Sequence, residues 1–191
     1  MKKTLILFVL GCAIGSASGP CDHAGPYARI GRAPFGETDI RIEGQVVLPD
    51  GKTPAASVVM YVYHTGSDGK YGKNSAGGPL YQAWLRTGPD GRYRYETIRP
   101  APYSDGQTPA HIHIQFWGGD VPAQYSDDLY FDDDILLSKA TREASVRMGR
   151  FANVVRLTRR DGVLGVTQDF RLKTTADRFE ESIMHGVRQC Q

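Results

Sequence analysis

The fold class this 191-residue sequence predicts is all-β, an antiparallel β-sandwich with long loops. Two observations carry that expectation. Asp-Gly dipeptides recur at Asp50-Gly51, Asp68-Gly69, Asp90-Gly91, Asp105-Gly106 and Asp161-Gly162, and this pair tolerates the positive φ values that tight hairpins require. Between the turns lie short runs rich in Val, Ile, Tyr and Thr, with no convincing helical period among them.

Taken in chain order, the first element is a leader. Met1-Lys2-Lys3 precedes an apolar run over residues 4–10 and a small-residue exit at Ser16-Ala17-Ser18. This pattern predicts a secretory signal peptide over residues 1–18. The run is too short for a spanning helix, which needs about 20 apolar residues. Val9-Leu10-Gly11-Cys12 also fits a bacterial lipobox, so two exits stay open: cleavage before Gly19, or a lipid anchor on Cys12. Both predict an exported protein, periplasmic or extracellular, either free or membrane-anchored.

The sandwich is expected over residues 19–173. Its strands are placed at residues 40–48, 57–64, 92–98, 110–117 and 153–158. Residues 138–149 lack clear alternation and read as a short helix or a loop. Residues 174–191 form a C-terminal tail, in which Phe179, Ile183 and Met184 share one side of an amphipathic helix. Asp127, Asp128 and Asp132 to Asp134 surround Leu129-Tyr130-Phe131 without the spacing of a calcium loop, which predicts a solvated acidic loop.

Charge excludes one class of partner. Of 23 Lys and Arg, two are Lys2 and Lys3 in the leader, which leaves 21 against 21 Asp and Glu. A neutral domain without a basic stripe has no electrostatic footprint for nucleic acid. Cysteine usage fits export: with Cys12 removed or lipidated, Cys21 and Cys190 stand near the two ends of the mature chain. In an oxidising compartment they are expected to form a disulfide, which in the chain-entropy view contributes about 4–5 kcal/mol for so long a loop.

The densest chemical signal is Pro109-Ala110-His111-Ile112-His113-Ile114-Gln115-Phe116. Alternation in a strand puts Ala110, Ile112, Ile114 and Phe116 on one face, with His111 and His113 together on the other. Two imidazoles so spaced can hold one metal ion; alone, a pair of surface histidines looks the same. Tyr71 follows a hairpin signal and Tyr103 stands just upstream of the histidine strand. Tyr61, Tyr63, Tyr93 and Tyr95 alternate along strands and read as packing groups. Trp84 and Trp117 line either a pocket or the core, and His64 is not assigned to the site.

The stretch from Tyr71 through Asp90-Gly91-Arg92-Tyr93-Arg94-Tyr95 and Arg99-Pro100-Ala101-Pro102-Tyr103 to Pro109-Ala110-His111-Ile112-His113 resembles the intradiol ring-cleavage dioxygenases, the family of catechol and protocatechuate dioxygenases. The resemblance extends upstream to Ile42-Glu43-Gly44-Gln45-Val46 and downstream to Gln168-Asp169-Phe170-Arg171-Leu172. It implies a single ferric ion held by Tyr71, Tyr103, His111 and His113, with Tyr71 and His111 equatorial and the other two axial. It also implies a reaction, in which a catechol-type diol displaces Tyr103 and both atoms of dioxygen enter the ring to give a muconate-type diacid. The chemistry is consistent with that ion. Deprotonating a tyrosine at pH 7 costs about 4 kcal/mol, and a hard trivalent cation offsets this for two phenolates better than zinc does.

Three positions depart from the family pattern. Where the family carries an arginine that stabilises charge on the ring, this chain has Thr108 beside Gln107. Gln107, or Arg99 or Arg86 from elsewhere, would have to replace it. Asp127-Asp128 stands where the family has Thr-Gln, and a carboxylate there would repel an anionic substrate. Ala101 replaces a glycine before Pro-Tyr. The expected substrate is therefore a neutral catechol or a hydroxyquinol. The alternative function is a binding protein that keeps the metal site but has lost or altered the chemistry. A copper–zinc superoxide dismutase site is disfavoured, because the remaining histidines stand in no suitable context.

Overall fold

The computed structural model describes residues 19–31, 39–177 and 186. The leader, Cys12, Cys190 and the tail positions Phe179, Ile183 and Met184 lie outside the described residues. In chain order the strands are β1 (Tyr27–Ile30), β2 (Asp39–Val47), β3 (Val59–His64), β4 (Tyr81–Arg86), β5 (Arg92–Ile98) and β6 (His111–Gly118). They continue as β7 (Val121–Tyr125), β8 (Leu129–Phe131), β9 (Val154–Val155), β10 (Thr158–Arg160), β11 (Val163–Thr167) and β12 (Phe170–Arg171). The five Asp-Gly signals all supply a glycine in the left-handed region, at Gly51, Gly69, Gly91, Gly106 and Gly162.

One sheet runs β1-β5-β2-β11-β10, with β12 also on β2; the other runs β4-β3-β6-β8-β9, with β7 also on β6. The sandwich forms as expected, but its sheets are mixed rather than wholly antiparallel. The pairs β1–β5, β2–β11, β2–β12 and β8–β9 are parallel. One edge of β2 is shared in succession by β11, which pairs as far as Glu43, and by β12, which pairs from Val46. Between them the chain crosses over Gly44, where a Cβ would stand 1.8 Å from the Gln168 carbonyl oxygen. Only glycine permits that approach.

The core lies between the sheets. Ile40, Ile42, Val46 and Tyr95 from one face meet Met60, Val62, Ile112, Ile114, Phe116 and Leu129 from the other. The burial of Ile112, Ile114 and Phe116 leaves His111 and His113 on the opposite face of β6. Residues 138–149 contain helix α1 (Lys139–Arg147), whose first turn is capped by the Ser138 hydroxyl accepting from the Thr141 N–H. None of the described helices is long and apolar enough to cross a membrane. Cys21 is buried and disulfide-bonded.

The acidic segment is not merely a solvated loop. Asp134 is buried, and it accepts from the N–H of Ala110, at the entrance to the histidine strand, and from that of Leu136. Asp132 pairs with Arg156. The segment pins the start of β6.

His64 is a structural histidine. It is fully buried, with Nδ1 against the Thr65 carbonyl and Nε2 against the Thr97 hydroxyl of the facing sheet, and it stacks on Tyr81. Burial pulls its pKa from 6.5 to about 4. The unfolded chain therefore binds the proton more readily, so the stability this residue contributes is complete above about pH 6.5 and is lost as pH falls towards 4. The loss amounts to about 3 kcal/mol. Urea unfolding from pH 7 to 4 is expected to show this extra slope in the wild type and not in His64→Asn; equal slopes would contradict it.

Candidate metal centre

Two loops and one strand meet above β6. Tyr71 ends a turn closed by the Gly66 N–H donating to the Lys70 carbonyl and the Gly69 N–H donating to the Gly66 carbonyl. Tyr103 sits at the neck of the next loop, where its own N–H donates to the Thr108 carbonyl. The loops interlock: the Ala101 N–H donates to the Gly66 carbonyl, and the Ser104 N–H to the Gly69 carbonyl. A Cβ on Gly69 would lie 2.2 Å from the Pro102 carbonyl oxygen, so glycine here is what lets one tyrosine loop rest on the other.

The four predicted side chains converge. The Tyr71 and Tyr103 hydroxyls are 2.5 Å apart. His113 Nε2 is 2.7 Å from the Tyr71 hydroxyl, 3.3 Å from the Tyr103 hydroxyl and 3.0 Å from His111 Nε2. His111 is buried, whereas Tyr71 keeps 37% of its surface exposed.

The far edges of both imidazoles are committed. His111 Nδ1 lies 2.7 Å from the Pro109 carbonyl and His113 Nδ1 lies 2.8 Å from Asp128 Oδ1. Carbonyl and carboxylate oxygens only accept, so each Nδ1 carries the proton and each Nε2 presents a lone pair. Two lone pairs thus face each other across 3.0 Å beside two phenolic oxygens. Burial pushes the Tyr71 hydroxyl well above its ordinary pKa, raises that of Tyr103 and lowers that of His111. A cation among these atoms would reverse the preference of the tyrosines and reinforce that of the histidine, because it favours phenolate and neutral imidazole. The donor set fits a hard, highly charged metal ion.

Tyr63 and Asp128 also support this centre, although the sequence reads Tyr63 as a packing group and Asp128 as a carboxylate facing substrate. Tyr63, opposite His113 in the β3–β6 pairing, stacks on its ring at 4.6 Å between centroids. The signal was present in the alternation of Tyr61 and Tyr63, but strand pairing was needed to bring Tyr63 to a histidine. Asp128 stands one residue before β8, whose register sets Tyr130 opposite His111. One ligand atom each from His111, His113 and Asp128 lie within 4.8 Å of one another. Asp128 nevertheless binds the Nδ1 edge, on the side of the ring turned away from the cluster, and so orients His113 rather than joining the donor set.

The two arginines proposed to replace the missing one are occupied elsewhere. Arg99 forms two hydrogen bonds with Asp133 and lies over Phe131. Arg86 donates to the Ser57 and Cys21 carbonyls. The Thr108 hydroxyl and the N–H groups of Gln107 and Thr108 all bond to Asp105, which makes this pair the closing turn of the Tyr103 loop. Among the described residues, no Lys or Arg hydrogen-bonds to the four converging side chains. Trp84 lies away from the cluster, against Tyr61, with its indole N–H donating to the Gly186 carbonyl.

A β-sandwich presenting two tyrosines and two histidines to one point offers the donor set for a single metal ion. A family profile described as "Dioxygenase" matches residues 16–174, and the chain belongs to that family, among the intradiol ring-cleavage dioxygenases. It is 29% identical over 133 residues to a protocatechuate 3,4-dioxygenase beta chain of Burkholderia cepacia, covering 63% of this chain and 56% of that one. It is 30% identical over 126 residues to a catechol 1,2-dioxygenase of Acinetobacter lwoffii, covering 53% and 40%. The chain thus spans about half the length of the curated relatives it matches. In fold it is similar to catechol 1,2-dioxygenase from Pseudomonas arvilla C-1, with a TM-score of 0.60 at 20% identity, covering 83% of this chain and 59% of that one. It is likewise similar to the dioxygenase domain of a carbohydrate-binding fusion from Streptomyces sp. SirexAA-E, with a TM-score of 0.59 at 18% identity, covering 78% and 88%.

Proposed function

We propose that this protein is a ferric dioxygenase that cleaves a neutral catechol or hydroxyquinol between its two hydroxylated carbons, with Tyr71, Tyr103, His111 and His113 holding the iron. The observation that carries this reading is the convergence of two Nε2 lone pairs and two phenol oxygens within 3.3 Å of His113 Nε2. The ion, when bound, supplies the Lewis acidity that gathers the diol and draws electron density from its ring.

The chain's own residues do the rest. Tyr103, whose ring meets no aromatic ring among the described residues but those of Tyr71 and His111, is the donor free to swing aside and take up a substrate proton at Oη. Tyr71 stays, braced by Tyr63 and by the Gly69 contact. Asp128 behind His113, with no arginine among the described residues reaching the cluster, leaves a field that disfavours a carboxylated diol. Export and a Cys21–Cys190 bridge belong to the same reading; the disulfide at Cys21 supports an oxidising compartment.

Iron-loaded protein is expected to be wine-red, to change its visible band when catechol is added, and to consume one dioxygen per ring cleaved. Uptake should be faster with catechol or hydroxyquinol than with protocatechuate. Coloured protein that takes up no dioxygen with any diol would favour the binding-protein reading, and colourless protein that holds only zinc would remove the ferric one.

A further inference from the structure

We infer that Asp128 is a positioning residue that gives the centre its preference for a trivalent ion, acting through His113 as a carboxylate–histidine–metal relay. This rests on the ferric reading of the four-residue site. The geometry is specific. Asp128 Oδ1 is 2.8 Å from His113 Nδ1, and the side chains are 28% and 20% exposed respectively. The backbone that carries this carboxylate is fixed from two directions. The Asn153 amide donates to the Asp128 carbonyl at 2.9 Å, and the β8 register that follows locks Leu129 opposite Ile112.

A carboxylate does two things here that the amide expected from the family pattern does not. It can only accept, so it holds His113 in the Nδ1–H tautomer, whereas an amide that flips could hold either. It also carries a full charge. With Tyr71 and Tyr103 as phenolates, Asp128 brings the negative charges about the site to three, which matches a trivalent ion and over-neutralises a divalent one. Such partners behind a ligating imidazole raise its basicity, and their removal typically costs 10–100-fold in metal affinity or activity.

The test compares the full-length wild type with Asp128→Asn and Asp128→Glu. Ferric and ferrous affinities are measured by chelator competition, together with the position of the visible band. Asp128→Asn is expected to lower the ratio of ferric to ferrous affinity about tenfold, equivalent to a midpoint rise of about 59 mV for a one-electron couple. Its tyrosinate band should move to longer wavelength. Asp128→Glu should return both towards the wild type. Because the ratio cancels any loss common to both oxidation states, a variant that merely folds less well leaves it unchanged, and that result overturns the inference. So does equal impairment in the Asn and Glu variants, which would make contact geometry rather than charge the cause. Failure of the ferric reading itself is seen separately, as wild-type protein that takes up no iron.

Discussion

Tyr71→Phe is expected to keep only a weakened and shifted visible band, to bind ferric iron at least about 100-fold more weakly and to turn over about 10³-fold more slowly. The substitution removes one oxygen and leaves the ring, so packing against Tyr63 survives. What goes is one of two anionic donors, the oxygen 2.5 Å from Tyr103 and 2.7 Å from His113 Nε2. The remaining phenolate and two neutral imidazoles make a set better matched to a divalent ion. Iron content after gel filtration, the visible spectrum and oxygen-electrode rates check this. Stoichiometric iron with an unchanged band would remove Tyr71 from the centre.

The largest expected effect on stability is at Gly44, in the sheet that does not carry the histidine strand. In Gly44→Ala the new Cβ meets the Gln168 carbonyl oxygen at 1.8 Å and its carbon at 2.6 Å. That peptide cannot retreat freely. The Gln168 N–H donates to the Glu43 carbonyl, and its carbonyl accepts from the Tyr93 hydroxyl inside the core. Moving it breaks both bonds and lifts β11 or β12 from β2. We expect a loss of about 3 kcal/mol or more, above the ordinary range for overpacking because backbone rather than side chain must yield. A denaturant midpoint equal to that of the wild type would show that the crossing is not seated on Gly44.

Much of this was legible in the sequence, for a physical reason. Strand alternation and turn chemistry act over a few residues. The two faces of β6 and the five left-handed glycines could therefore be read directly. The tyrosine loops were identifiable because each adjoins such a turn. What local pattern could not supply was partnership across the sheets. Parallel pairing of β11 with β2 joins residues more than a hundred positions apart. Arg99 reads as a free cation until Asp133, 34 residues on, is seen to hold it. Asp128 reads as a repulsive group facing substrate until the β6–β8 register turns it towards the back of His113. Asp134 reads as solvated until the Ala110 N–H is found to need an acceptor in the interior. Each correction concerns a charged side chain whose meaning depends on a distant neighbour.

The bracing of both imidazoles from behind has a consequence for the order of assembly. A carbonyl and a carboxylate already aim the rings, and the hydrophobic interior lies on the other face of the strand that bears them. On the ferric reading, the chain would complete its fold first and take up the ion afterwards, unlike small zinc modules that stay unfolded until the ion arrives. It is a socket finished before the plug.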